Sequence, residues 1–155
     1  MTGSKEYITE QLQDLLKQIS MVLSFTLSKV LEDSALTVHQ VYVMKLISRK
    51  PSINLTGLCK ELNLSKGAMS LTLNKLVERG YVLRCEDPAD RRNRNIVITE
   101  KGQEVLSITI EKIRGAFNRL TYNLTLEELE DIKNSLVKLN SSMYSALQQQ
   151  WETNK

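Results

Sequence analysis

Histidine occurs once in this 155-residue chain and cysteine twice, and no glycine-rich phosphate loop is present. These shortages exclude much chemistry. His39 has no neighbouring serine or cysteine motif with which to form a nucleophile–base pair, so no catalytic residue is assigned and an enzyme is not expected. A zinc site needs several histidine, cysteine or carboxylate ligands, which one histidine and two distant cysteines do not supply. No metal or cofactor is therefore expected. Cys59 and Cys85 form no CxxC pair and read as buried, reduced thiols of a cytoplasmic protein. No apolar run approaches the roughly 20 residues of a membrane span. The N-terminal MTGSKEYITEQLQDLLKQ carries acidic and amide groups where a secretory signal has an apolar centre, so neither an anchor nor export is expected. Aromatic residues make up only 5%, which leaves the core to aliphatic side chains.

What the chain does have is helical periodicity. Ile8, Leu12, Leu15, Ile19, Val22, Thr26 and Val30 step by three or four, predicting one long helix over Glu6 to Leu31. A second stripe through Leu16, Leu23 and Leu27 makes its apolar surface wider than a lone surface helix needs. Thr37-Val-His-Gln40 reads as a capping box. It opens a second helix with Val38, Val41, Met44 and Ile47 on one face, and Pro51 ends it. Ser52-Ile53-Asn54 reads as a short strand. Leu55, Leu58, Cys59 and Leu62 mark a short third helix. Asn63 suits a left-handed turn, Leu64 can tuck inward, and Ser65 suits an N-cap. The fourth helix then runs to about Arg79 with Met69, Leu73, Leu76 and Val77 buried, and Gly80 stops it. YVLRC and NIVI read as two strands joined by a charged turn. Thr99 caps a fifth helix carrying Leu106, Ile110, Ile113, Phe117 and Leu120. Thr125-Leu-Glu-Glu128 is a second capping box, opening a last helix with Leu129, Ile132, Leu136, Leu139, Met143 and Leu147 near heptad spacing.

The expected architecture is mainly α with a small β-hairpin wing. A winged helix-turn-helix lobe covers residues 37–102, and a long-helix dimerisation region covers 1–36 and 103–155. The outer helices carry more apolar surface than the middle can cover, which points to a homodimer.

Helix-turn-helix and wing together point to double-stranded DNA. Ser65, Lys66, Gly67, Ala68, Ser70, Leu71, Asn74 and Lys75 lie off the buried stripe of the fourth helix. Small polar residues at a helix start suit entry into a major groove, and Gly67 and Ala68 allow close backbone approach. Asn74 can read adenine, Lys75 a guanine or a phosphate, and Leu71 a thymine methyl. The turn sequence EDPADRRNR places Arg91, Arg92 and Arg94 where they pack against nothing, and the negative minor groove would compensate their mutual repulsion. Between Ser65 and Asn95 seven basic residues face four acidic ones, a surplus equal to the whole-chain net charge of +3. The competing class is a helical protein-interaction module whose basic wing binds an acidic partner. A salt-dependent shift of duplex DNA separates the two.

The segment LNLSKGAMSLTLNKLVERGYVLRCEDPADRRNRNIVITEKG resembles the recognition helix and wing of the multiple antibiotic resistance regulator (MarR) family, and the helix order extends the resemblance over nearly the whole chain. The resemblance implies a cytoplasmic dimeric transcription factor, most often a repressor, with winged lobes beneath a helical dimer interface. Many such proteins leave DNA on binding phenolic ligands, oxidants or metals, so a small apolar or aromatic-acid effector is expected. Ser65, Lys66 and Ser70 match the family's helix-start contacts, and Asp90, Arg91 and Arg92 its wing tip. Two departures remove positive charge: Leu71 stands where arginine is often found, and Ala89 where a wing arginine is common. The family's oxidant sensors carry a first-helix cysteine, and this chain has none there.

Overall fold

The computed structural model describes residues 3–34, 36–86 and 94–153, with side chains described as far as residue 149. In order these form α1 (Lys5–Glu32), α2 (Val38–Arg49), α3 (Leu55–Leu62), α4 (Lys66–Glu78), β1 (Val82–Glu86), β2 (Arg94–Ile98), α5 (Glu100–Leu120) and α6 (Leu126–Thr153). The chain forms two compact units, residues 1–116 and 117–155.

Local signals set most boundaries. The Ser4 hydroxyl accepts from the Tyr7 amide at 3.2 Å and starts α1. The Thr37 capping box is complete: Gln40 donates its amide to the Thr37 hydroxyl, and the Thr37 amide donates back to the Gln40 side chain at 2.9 Å. This changes the buried face of α2. Gln40 is buried because its side chain turns back onto the cap, and Val43 joins Val41, Met44 and Ile47 inside. Val38, expected inside, is instead exposed on the first turn.

The first unit is built around one aliphatic core. Met44, Ile47, Leu58, Met69, Leu73, Leu76, Val82 and Ile96 are almost completely buried there. Leu31 of α1 and Leu106 of α5 belong to the same cluster, so the long helices contribute to it as well. The residues expected to form a strand before α3 make only an isolated bridge, Asn54 to Asn95, with the Ile96 amide donating to the Ile53 carbonyl at 2.9 Å. The reason is local. The Asn54 side chain accepts from the Gly57 amide at 2.9 Å and caps α3, so the chain must turn before a ladder can extend.

β1 and β2 are antiparallel, pairing Val82 with Ile98, Arg84 with Ile96 and Glu86 with Arg94. Because cross-strand partners share a face, these six lie on the side that carries buried Val82 and Ile96. Leu83 and Cys85 lie on the opposite, solvent side. Cys85 is exposed and Cys59 only half-buried, correcting the expectation of two buried thiols: a two-stranded hairpin covered on one face leaves alternate residues in water.

Two glycines fix the hairpin's ends. Gly80 has φ +71°, a left-handed conformation that ends α4 and turns the chain into β1. Gly102 packs against the backbone. A Cβ there would lie 2.0 Å from the Tyr81 carbonyl oxygen. Thr99 ties the same junction together: its hydroxyl donates to the Gly80 carbonyl at 2.7 Å and accepts from the Gly102 amide at 2.9 Å.

In the second unit, α6 opens on the expected capping box. The Thr125 amide donates to the Glu128 carboxylate at 2.8 Å, and the Glu128 amide donates to the Thr125 hydroxyl at 3.3 Å. The bond from the Thr125 backbone, then that from its hydroxyl, holds the Glu128 carboxyl below the ordinary glutamate value. With the folded value depressed, the cap's contribution is present above the unfolded value and is lost as pH falls through the folded one. In an NMR titration, Glu128 should therefore titrate below the ordinary glutamate value, and Thr125→Ala, which removes the hydroxyl bond, should bring it part of the way back. A Glu128 midpoint unmoved by that substitution would remove the hydroxyl's share of the cap and leave the shift to the Thr125 amide alone.

Candidate nucleic-acid interface

The α3–α4 turn is shaped by a few residues. Asn63 takes φ 52° and ψ 49°, the left-handed conformation that asparagine tolerates better than most non-glycine residues. Leu64 then packs inward against the core, and the Ser65 hydroxyl accepts from the Ala68 amide at 3.2 Å to start α4. Met69, Leu73 and Leu76 hold one face of α4 in the core. Their spacing leaves Ser65, Lys66, Gly67, Ala68, Leu71, Asn74 and Lys75 exposed, with Ser70 half-buried at the margin. Leu71 is 59% exposed. A leucine so open on a helix otherwise anchored by its apolar face is available for an apolar contact with a partner.

Gly67 shows what this surface permits. A Cβ built there meets nothing within 4 Å, so the fold does not require glycine at this position. Gly67→Ala should stabilise the protein by up to about 1 kcal/mol, by reducing the freedom of the unfolded chain. It should also weaken binding to any partner that approaches the helix start closely. Denaturation midpoints and DNA affinity measured on one preparation check both signs. Stabilisation without loss of affinity would mean that the start of α4 is not closely approached.

The hairpin extends this face. Arg94, at the start of β2, is exposed and stands opposite Glu86 in register. Asp90, Arg91 and Arg92, expected at the wing tip, lie outside the described residues.

Two basic residues not assigned from the sequence emerge here. Arg84 of β1 donates from Nη2 to the Oδ1 of Asn74 at 2.7 Å, joining the hairpin to α4. Lys101 donates to the Arg79 carbonyl at 2.9 Å, with its ammonium 5.3 Å from the centre of the Tyr81 ring, and so covers the C-terminal end of α4. Strand alternation was the available signal for Arg84, which is two residues from buried Val82 and therefore on the helix-facing side. The sequence offered Asn74 as a free amide for reading adenine. In the folded chain its oxygen already has a donor.

Among the described residues no group of three or more His, Cys, Asp or Glu is placed to hold a metal ion, and no helix is long and apolar enough to cross a membrane.

Known proteins share this arrangement. The model of the MarR family matches residues 36–93, which span α2, the helix-turn-helix and the first part of the hairpin segment. The HTH-type transcriptional regulator SarZ of Staphylococcus epidermidis is 27% identical over 142 residues, covering 89% of this chain and 95% of its own. Wild-type MarR from E. coli in its apo form is 26% identical, covers 83% of this chain and 96% of its own, and superposes with a TM-score of 0.71. A mutant of the same E. coli protein, complexed with operator DNA, has a TM-score of 0.72 at 24% identity, covering 88% of this chain and 99% of its own. The match to the family model falls on the helix-turn-helix, and the similarity to SarZ and MarR continues along most of the chain on either side of it; what the chain is similar to, along most of its length, is the MarR family.

Proposed function

We propose that this chain is a sequence-specific, double-stranded-DNA-binding transcriptional regulator. In this reading it is a ligand-responsive repressor that acts in the cytoplasm as a homodimer on an inverted-repeat operator. The observation that carries it is the divided surface of α4. One side is anchored by Met69, Leu73 and Leu76, and the other offers Ser65, Lys66, Gly67, Ala68, Asn74 and Lys75 to a partner. Those residue types suit a major groove: backbone amides and lysines for phosphates, small residues for close approach, and an amide for a base edge. The complex of E. coli MarR with operator DNA supports the same use of the fold. Ser70 and Leu71 would complete the helix contacts, and Asp90, Arg91, Arg92 and Arg94 would form the wing contacts.

Residues 37–102 would then be the DNA-binding lobe, with 1–36 and 103–155 forming the dimer. Support comes from apolar side chains left in water. On α1, Ile8, Leu15, Val22 and Phe25 are each at least half exposed, and α6 carries a similar row. Surfaces of this kind are covered in stable soluble proteins, most often by a two-fold partner. Two copies of α4 would enter successive major grooves about 34 Å apart. DNA selected from a random pool by the full-length protein should therefore contain an inverted repeat with half-site centres about 10 base pairs apart. Affinity for it should fall steeply with salt. A pool that yields no enriched sequence, with an acidic protein competing fully for the basic surface, would favour the protein-interaction reading instead. The effector would be a small apolar or aromatic acid, and a compound of that class should lower operator affinity.

A further inference from the structure

The bond between Arg84 and Asn74 reaches from the hairpin to the exposed side of α4, into the surface that the proposed function turns toward DNA. Its chemistry is one-sided. A guanidinium has only donors, so the atom of the Asn74 amide that faces it must be the carbonyl oxygen, as the 2.7 Å contact to Oδ1 has it. Charge assistance makes such a bond stronger than a neutral one. The backbone register restricts Arg84 to this role. It stands opposite Ile96, which is buried, so its side chain leaves the sheet on the face toward α4.

We infer that Arg84 is a positioning residue for base recognition, holding the Asn74 amide with its oxygen turned to the hairpin and its NH2 group turned to the major groove. This assignment rests on the DNA-binding reading above. An unrestrained asparagine offers a donor and an acceptor side by side, the pattern that pairs with adenine N7 and N6. An asparagine whose oxygen is committed offers N–H groups. The matching edge is guanine, where N7 and O6 are both acceptors, whereas adenine places its own N6 donor against them. Arg84 thereby acts on specificity through its neighbour, without itself touching a base.

The test uses full-length protein and the operator selected from a random pool. Asn74→Ala identifies the base pair that Asn74 faces, as the one position per half-site whose preference collapses. Wild-type protein should prefer guanine over adenine there by about tenfold. Arg84→Gln replaces the donor-only group with an amide that can also accept, freeing Asn74 to turn over. Its guanine preference should fall to within about twofold, while other positions keep theirs. Arg84→Lys, still donor-only, should retain it. Three results overturn the assignment while leaving DNA binding intact: a wild-type preference for adenine at that position, an unaltered preference in Arg84→Gln, or a uniform loss across all operators with a shallower salt dependence, which would mark Arg84 as a phosphate contact. A wild-type chain that selects no sequence overturns this assignment together with the reading it rests on.

Discussion

Leu136→Glu combined with Met143→Glu should convert the protein into a monomer, or an aggregate, that no longer shifts its operator. Ile132, Leu136, Met143 and Leu147 of α6 are between 44% and 52% exposed, and their spacing of four, seven and four residues keeps them on one helix face. Burying a leucine or methionine is worth about 1.5–3 kcal/mol. A two-fold contact would lose two such side chains from each copy and gain like charges facing each other. Several kcal/mol lost from association corresponds to a weakening of at least a thousandfold. Because both residues are exposed in the single chain, α6 itself should survive, and circular dichroism checks that. Leu136→Met is the control, since it keeps volume and apolarity. Sedimentation is the direct measurement. A double variant that remains dimeric and binds its operator with wild-type affinity would place the contact elsewhere.

Gly102→Ala should be as damaging to folding as Gly67→Ala is harmless. The new Cβ would lie 2.0 Å from the Tyr81 carbonyl oxygen and 2.9 Å from its carbonyl carbon, both backbone atoms that cannot rotate away. Relief requires the start of α5 to move from the start of β1. That movement would strain the bonds that the Tyr81 carbonyl accepts from the Thr99 amide and hydroxyl, at 3.0 and 3.2 Å. A loss of about 3 kcal/mol is expected, from the range seen when packing and hydrogen bonds fail together. Urea midpoints for the two glycine variants, measured side by side, should move in opposite directions. A Gly102→Ala protein as stable as wild type would mean that this junction is far more pliable than its hydrogen bonding implies.

These two glycines also mark how far the sequence could be read. Caps and turns were legible because their chemistry is local. Thr37 with Gln40, Thr125 with Glu128, the left-handed Asn63 and the stop at Gly80 all depend on neighbours within about four residues. The exposed face of α4 was equally legible, since it is the complement of a helical stripe. Less could be read where two distant segments meet. Gly102 looks like an ordinary helix residue until Tyr81 is brought beside it. Ile53 looks like the middle of a strand, yet finds only the Ile96 amide of the hairpin. Cys85, with no CxxC partner, reads as a buried thiol, although strand parity turns it to water. Arg84 and Asn74 are ten residues apart on different elements, and only the packing of the hairpin on α4 brings them together.

That packing constrains how the gene can change. Side chains on a strand alternate, so a residue inserted in β1 between Val82 and Arg84 would reverse every position beyond it. Arg84 would point away from α4, and Cys85 would turn to the covered side, at the position where Glu86 now pairs with Arg94. Insertions and deletions within codons 87–93 would leave the parity of both strands untouched. Lineages descending from this protein should therefore differ in the length of that connection while keeping an odd number of residues, one, between the buried valine and its arginine.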